Sequence, residues 1–302
     1  MDCSEHIDFS PLRQPHLDYS IQKKITKDRV NMLTACAIHY GLDVGLVAWY
    51  MGGEYTADYR DLEAKQIALE PHINSSDYDH ITRFLVEGAP HEFDWEETQD
   101  NKMKAIRAGN QILVQRNPRM VQETLNKEER NSHIAPFYNW VCRFSSNARH
   151  TSQGMVIKEG KNSRLVWDGT NKQECHQVTM NDITPTETEP LITFGHTKIK
   201  ALTHIYNTRI SFPHREIHCA APDKKACFRF VRIFADLVGA FGFTVGYYFI
   251  ATAMVFGSIV SASCWEPFRR AIKKLNEIYY KKPELETKYA GYLEQVKFEP
   301  IP

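Results

Sequence analysis

The chain has 302 residues, with 37 Lys and Arg against 37 Asp and Glu, so its formal net charge is zero. Hydrophobic residues at 42% and charged residues at 25% are typical of a folded globular protein, and exclude a disordered tail, a collagen-like fibre and a multi-span membrane protein. Residues 1–100 carry more than twice as many acidic as basic side chains, and residues 101–302 carry the compensating basic excess. This segregation indicates either an anionic partner for the later part of the chain or two regions that differ only in surface composition.

The seven cysteines are scattered, odd in number and form no C-x-x-C pair. This usage favours a reducing compartment over a disulfide framework. The segment from Met1 to His6 carries acidic side chains where a secretory signal would carry positive charge before an apolar run. We therefore expect an intracellular protein, of the cytoplasm or the nucleus, that is not secreted.

The first hundred residues predict a small acidic helical region for which the sequence indicates no chemistry. The predicted helices lie within 21–50, over 60–70 and over 77–87. Residues 101–140 predict a connecting helical segment, with a basic helix over 118–130.

From about residue 141 the sequence becomes rich in β-forming residues. The predicted strands are 141–144, 154–158, 164–167 and 209–212, with a loop at 181–190, a helix over 198–207, a helix from 268 that ends at Pro283, and a helix over 284–296. Residues 141–302 therefore predict a mixed region of strands followed by a helical tail.

An apolar stretch, 237–265, contains no Asp, Glu, Lys, Arg or His and is long enough to span a bilayer. Basic residues follow it, as they follow many membrane spans. The glycines and the serine cluster inside it instead favour a buried succession of strand, turn, strand and helix. Both hypotheses stay open on composition alone.

Three segments carry the candidate chemistry, and the first is a predicted hairpin over 154–168. Two β-rich runs flank a Glu-Gly-Lys-Asn-Ser turn, and Lys158, Lys161 and Arg164 would concentrate positive charge on it. Arginine offers forked donors that suit phosphate groups, so the hairpin could bind a triphosphate or a nucleic-acid backbone. The alternative is a solvated hairpin with charged edges.

The second and third segments are 217–230 and 247–268. In the second, Asp223 ends a run of small residues, where its carboxylate would suit a hard cation such as Mg²⁺, although a turn residue beside two lysines is the alternative. In the third, an aromatic β-like run meets Gly257, and a face of small residues leads into a helix. A glycine there leaves room for a flat ligand to approach the backbone, whereas simple packing is the alternative.

In this order and spacing, the three segments resemble the fingers and palm of a reverse transcriptase of the retroelement type. Arg164 with Asp168 resembles the fingers signature in which an arginine precedes an aspartate by four residues, and the run from Asp223 to Phe228 resembles the first palm motif. The Met-Val-Phe-Gly run that ends at Gly257, with the small residues after it, resembles the next motif. The wider chain is similar to retroelement-derived open reading frames of microalgae.

This resemblance implies RNA-directed DNA polymerase ancestry and two-metal nucleotidyl transfer. It implies that Asp223 is a catalytic, Mg²⁺-binding carboxylate and that Lys158 and Arg164 contact the triphosphate of a dNTP. It further implies that Phe228 is a gate against the ribose 2′-hydroxyl. The loop that contains Phe256 and Gly257 would cradle the nucleotide and an RNA or DNA template–primer, with no role for a membrane.

The sequence departs from the family in two respects. The family supplies its remaining carboxylates as an adjacent Asp pair in a Y-x-D-D motif, and no Asp-Asp pair occurs in these 302 residues. Pro222 directly precedes Asp223, and proline is awkward at the centre of a sheet because it lacks an N–H.

We therefore expect an α+β fold with an acidic helical region (1–100), a connecting segment (101–140) and a partial fingers–palm core with a helical tail (141–302). This core would end before the Y-x-D-D motif and be catalytically incomplete. The alternative function is a single-span membrane protein or an interaction protein that uses 237–265 as its apolar segment.

Overall fold

Helices and strands both contribute to the fold, which confirms the expected α+β class. The structure, a computed structural model, describes residues 25–50, 73–90, 93, 98–157, 164–172, 177–185, 197–216 and 227–281. Its helices are α1 Lys27–His39, α2 Val44–Tyr50, α3 Ser75–Val86, α4 Gln99–Ala108, α5 Ile112–Arg116, α6 Pro118–Arg130, α7 Asn139–Phe144, α8 Thr197–Ser211 and α9 Val260–Lys281.

Local sequence explains where several helices begin. The side chains of Thr26, Asn74 and Thr98 each accept a hydrogen bond from the backbone N–H of the third residue of α1, α3 and α4. Such caps satisfy one of the donors that the first turn of a helix leaves unpaired. Pro118 occupies the start of α6, where its missing N–H costs nothing.

The strands form a three-stranded sheet and a separate hairpin. The strands are β1 Ile134–Phe137, β2 Gln153–Val156, β3 Arg164–Trp167, β4 Gly242–Val245 and β5 Tyr247–Ala251. The sheet is antiparallel in the order β1-β5-β4, and β2 pairs with β3 so that Gln153 lies opposite Trp167. Two short 3-10 helices, Cys227–Phe230 and Ala235–Phe241, precede β4.

The hydrophobic core surrounds the central strand β5. Its Tyr248, Phe249 and Ile250 are buried on both faces of the sheet. Helix α1 packs against β1, α2 packs against the Ala235–Phe241 helix, and Leu33 and Val44 belong to the same core as β5. The division of the chain at residues 100 and 140 stays a prediction.

Several predicted elements are present with nearly the expected bounds. Helix α6 begins and ends where the sequence predicts, and the strands of the 154–168 segment form the expected hairpin. Helix α3 begins two residues earlier than the helix predicted over 77–87. The helices predicted over 60–70 and 284–296 lie outside the described residues.

Two predicted strands are wrong. Residues 141–144 belong to α7, where the backbone N–H of Ser145 donates to the carbonyl of Val141 at 2.9 Å, so this segment pairs its backbone locally and not with a neighbouring strand. Residues 209–211 continue α8, and residues 209–216 are all exposed. An exposed strand needs a neighbour to pair its backbone, whereas a helix satisfies its own hydrogen bonds.

The apolar stretch 237–265 follows the predicted path of strand, turn, strand and helix. It runs from the Ala235–Phe241 helix through β4, β5 and a loop into the start of α9, so the unbroken helix that a membrane span requires does not form there. In the part of the chain that the structure describes, no single helix is both long and apolar enough to cross a membrane. Helices α1 and α2 meet that length and composition only as a pair, and the chain bends by 113° between them.

Candidate nucleotide-binding site

The first and third predicted segments meet at the end of β3. The backbone N–H of Trp167 donates to the carbonyl of Phe256 at 3.0 Å. Gly257 follows with φ +110°, and a Cβ atom built on it would lie 1.7 Å from the carbonyl oxygen of Trp167. Only glycine therefore allows this close approach of the two backbones.

The second segment joins the same place through an aromatic contact. Phe228, in the Cys227–Phe230 helix, places its ring centroid 5.0 Å from that of Phe256, with the ring planes inclined by 49°. Both residues are partly exposed and Gly257 is exposed. The contact leaves an accessible aromatic surface beside a glycine backbone, which is the kind of surface on which a flat ring or a sugar can lie.

Asn181 links the turn after β3 to the loop that contains Gly257. From the sequence, it is predicted only to lie in a loop. Its side-chain Nδ2 donates to the carbonyl of Gly257 at 3.1 Å, and its Oδ1 accepts the N–H of Ile259 at 3.4 Å. Its backbone N–H donates to the carbonyl of Gly169 at 3.0 Å. No spacing pattern in the sequence marks this residue, because its partners lie in two distant segments.

The remaining predicted site residues are distributed as follows. Arg164 is exposed at the start of β3, opposite Val156 and three residues before Trp167 on the same strand. Lys158 and Asp223 lie outside the described residues. The structure thus brings Phe228, Phe256 and Gly257 together, at the far end of the strand that begins with Arg164.

Asp168, the second member of the fingers signature, shapes the turn after β3. Its carboxylate accepts hydrogen bonds from the N–H and the hydroxyl of Thr170, at 3.2 and 2.9 Å, and from the side-chain amide of Gln111. Its own N–H donates to the carbonyl of Ser152 at 2.8 Å. With these partners the carboxylate orients the base of the hairpin against the start of α5.

A small polar recess lies beside this turn, lined by Ser152, Asp168 and the buried His150 among others. The Nδ1 atom of His150 lies 3.1 Å from the hydroxyl of Thr244. Burial lowers the pKa of His150 to about 4, although the nearby Gly109 carbonyl acts in the opposite direction. The imidazole is therefore neutral at pH 7.

A largely buried ion pair lies next to Phe228 in the chain, and the sequence assigned it no role. Arg229 places a guanidinium nitrogen 3.1 Å from Oε2 of Glu128, an oxygen that is also 3.1 Å from Nδ1 of His133. Burial opposes ionisation of Glu128, but Arg229 and His133 together lower its pKa to about 2. The pair is therefore charged at neutral pH.

Magnesium binding by this chain stays a prediction. Within the described ranges, no three His, Cys, Asp or Glu side chains lie close enough together to hold a metal ion. The carboxylate to which the sequence assigns the ion, Asp223, lies outside those ranges.

No protein-family model matches the chain, and no curated protein matches it either. Among solved structures, the chain is similar to a foamy viral protease–reverse transcriptase in complex with double-stranded DNA, with 13% identity and a TM-score of 0.39. The match covers 68% of this chain and 34% of the other, so the chain spans about a third of the length of that protein. A TM-score of this size does not establish a common fold.

Proposed function

We propose that this chain is a reverse-transcriptase-like protein that binds nucleotides and nucleic acid, and that these 302 residues by themselves do not extend a primer. The observation that carries the proposal is the meeting of the three motif-bearing segments. Trp167, Phe228 and Gly257 come from segments that are distant in sequence, yet they contact one another directly or through Phe256.

The junction, and Arg164 at the opposite end of β3, carry chemistry that suits a nucleotide. The exposed guanidinium of Arg164 can donate forked hydrogen bonds to phosphate oxygens. The partly exposed rings of Phe228 and Phe256 can pack against a base or a sugar, because stacking on aromatic side chains tolerates every base. The bare backbone at Gly257 lets the ligand approach closely.

The absence of primer extension follows from the number of carboxylates. Two-metal phosphoryl transfer needs several acidic ligands to hold two ions about 3.5–4 Å apart. The chain resembles the family at one of these positions, Asp223, and contains no Asp-Asp pair that could supply the others. Incorporation by the purified chain with Mg²⁺ or Mn²⁺, if it vanished in Asp223→Ala, would contradict this part of the proposal.

Nucleic-acid binding is tested with a fluorescently labelled RNA–DNA template–primer, followed by anisotropy at several salt concentrations. We expect Arg164→Ala to weaken binding at least threefold at low salt and to reduce the salt slope by about 1, because one phosphate contact is lost. Arg83→Ala on α3 is the matched control, since Arg83 is also exposed but lies on another element. Equal behaviour of the two variants, or no binding by the wild type at low salt, would refute the proposal.

A further inference from the structure

The Cys227–Phe230 turn and the loop that leads to Gly257 are held together by one buried side chain. Arg229 directly follows Phe228, and its side chain is only 14% exposed. One guanidinium nitrogen donates to the carbonyls of Ala253 and Met254, at 3.2 and 3.5 Å. These carbonyls lie just before Phe256, so Arg229 contacts the segments that carry both rings of the aromatic pair.

The other side of the guanidinium is fixed by α6. Glu128, near the end of α6, accepts from Arg229 at 3.1 Å and is itself held by His133, which follows α6. A buried arginine needs such an anion, since the interior solvates an isolated charge poorly. Glu128 therefore determines where the guanidinium lies. Through this pair, α6 fixes the position of the Cys227–Phe230 turn.

Backbone hydrogen bonds transmit this constraint to Phe228. The N–H of Met254 donates to the carbonyl of Val231 at 2.9 Å, and the N–H of Val231 donates to the carbonyl of Phe228 at 3.0 Å. A displacement of Arg229 would thus move the Phe228 ring relative to Phe256, because the turn and the loop are linked by the same few contacts.

We propose that Arg229, held by Glu128, is a positioning residue that fixes the Phe228 ring against Phe256 and so sets the preference of the site for deoxyribonucleotides over ribonucleotides. This inference rests on the proposed function, since it requires that the site binds nucleotides. The contacts of Arg229 run to a carboxylate and to two carbonyls of the protein, so it acts through Phe228 and not on the ligand.

The same helix provides a matched control. Glu129, the next residue of α6, is buried and accepts from Arg29 of α1 at 3.1 Å. Arg29→Lys and Arg229→Lys both alter a guanidinium paired with a glutamate of α6 that is buried (Glu129) or largely buried (Glu128), but only Arg229 is adjacent to Phe228. A purely structural role would affect stability in both variants and nucleotide preference in neither.

The experiment measures dissociation constants of the full chain for dCTP and CTP by calorimetry, together with melting temperatures. We expect the wild type to prefer dCTP and Phe228→Ala to lose that preference. Arg229→Lys should lower the ratio of the CTP dissociation constant to the dCTP dissociation constant at least threefold. Glu128→Gln should lower the same ratio. Arg29→Lys should lower the melting temperature and leave the ratio unchanged.

The outcomes separate the two proposals. Failure of the wild type to bind either nucleotide refutes the proposed function and this inference with it. An unchanged ratio in Arg229→Lys and Glu128→Gln, an equal change in Arg29→Lys, or equal affinities of the wild type for dCTP and CTP overturns this inference and leaves nucleotide binding standing. If Arg229→Lys does not fold, Glu128→Gln decides, because glutamine keeps the shape and an accepting oxygen.

Discussion

Gly257 shows how a single hydrogen atom in place of a methyl group can determine a local arrangement. We expect Gly257→Ala to lower the free energy of unfolding by at least about 3 kcal/mol, since the new Cβ would overlap the Trp167 carbonyl and φ is +110°. Gly246→Ala is the matched control: its φ is +70° with no atom within 4 Å of the new Cβ, so only the left-handed backbone costs about 1 kcal/mol.

Urea denaturation of the two glycine variants measures this difference. Gly246→Ala should unfold at a midpoint slightly below that of the wild type, with Gly257→Ala well below both. Equal midpoints for the two variants would mean that the Trp167–Gly257 approach does not occur in solution.

His150 makes stability depend on pH. Its pKa is about 4 in the folded chain against 6.5 for an unperturbed histidine, so between these values the unfolded chain binds the extra proton. The free energy of unfolding therefore keeps its full value above about pH 6.5. It decreases by about 3 kcal/mol as the pH falls towards 4. His150→Asn, which can still reach Thr244, should flatten this part of the stability profile.

The measurement for His150 is the urea midpoint at pH 7, 5.5 and 4.5. A profile equally steep in His150→Asn and the wild type would contradict the prediction.

At the scale of elements, α3 and α9 are joined by a charge pair that spans most of the chain. Asp77 is buried, and Arg270 of α9 donates to both oxygens of its carboxylate, with one contact at 2.9 Å. The desolvation of Asp77 is outweighed by the hydrogen bonds from Arg270 and Asn74, which hold its pKa below the usual range.

Removal of Arg270 should therefore loosen the packing of α9. We expect Arg270→Ala to cost about 2 kcal/mol, because it leaves Asp77 buried without its main partner. Arg83→Ala, which breaks an exposed pair with Glu87, should cost at most about 0.5 kcal/mol. Thermal unfolding of both variants checks this, and comparable losses would argue against a special role for the Asp77–Arg270 pair.

Elements whose signals are local could be predicted from the sequence, and those fixed by distant partners could not. The β2–β3 hairpin and α6 follow from a turn between β-rich runs and from Pro118 at a helix start. The error at Val141 arose because β-branched and aromatic residues favour a strand, whereas the backbone of this segment forms its hydrogen bonds within a short helix. In the candidate site, the motif pattern singled out Phe228 and Gly257 as candidates, but no local pattern could reveal Asn181 or the pairing of Arg229 with Glu128.

For the whole molecule, helices α1 and α2 of the acidic N-terminal region are part of the core and not an appendage to it. Thr34 of α1 accepts the N–H of Tyr138 at 3.1 Å, and Asn147 donates to Asp43, before α2, at 2.6 Å. Leu33 is fully buried in the cluster that contains β5. We therefore expect unfolding in a single transition that is the same by circular dichroism and by tryptophan fluorescence.

Leu33→Ala tests this cooperativity. It should shift the whole transition by about 3 kcal/mol, because it leaves a cavity in the shared core. Ile38→Ala on the exposed side of the same helix is the control and should cost under about 1 kcal/mol. Two separate transitions, of which Leu33→Ala moves only one, would show that the N-terminal helices form an independent unit.

The two consecutive glutamates of α6 have a consequence for how the chain tolerates insertions. Glu128 reaches Arg229 beside the candidate site, and Glu129 reaches Arg29 in α1. A helix turns by about 100° per residue, so one residue inserted earlier in α6 would rotate both carboxylates away from both arginines at once. Insertion and deletion scanning should therefore find α6 among the segments of the chain least tolerant of a change in length.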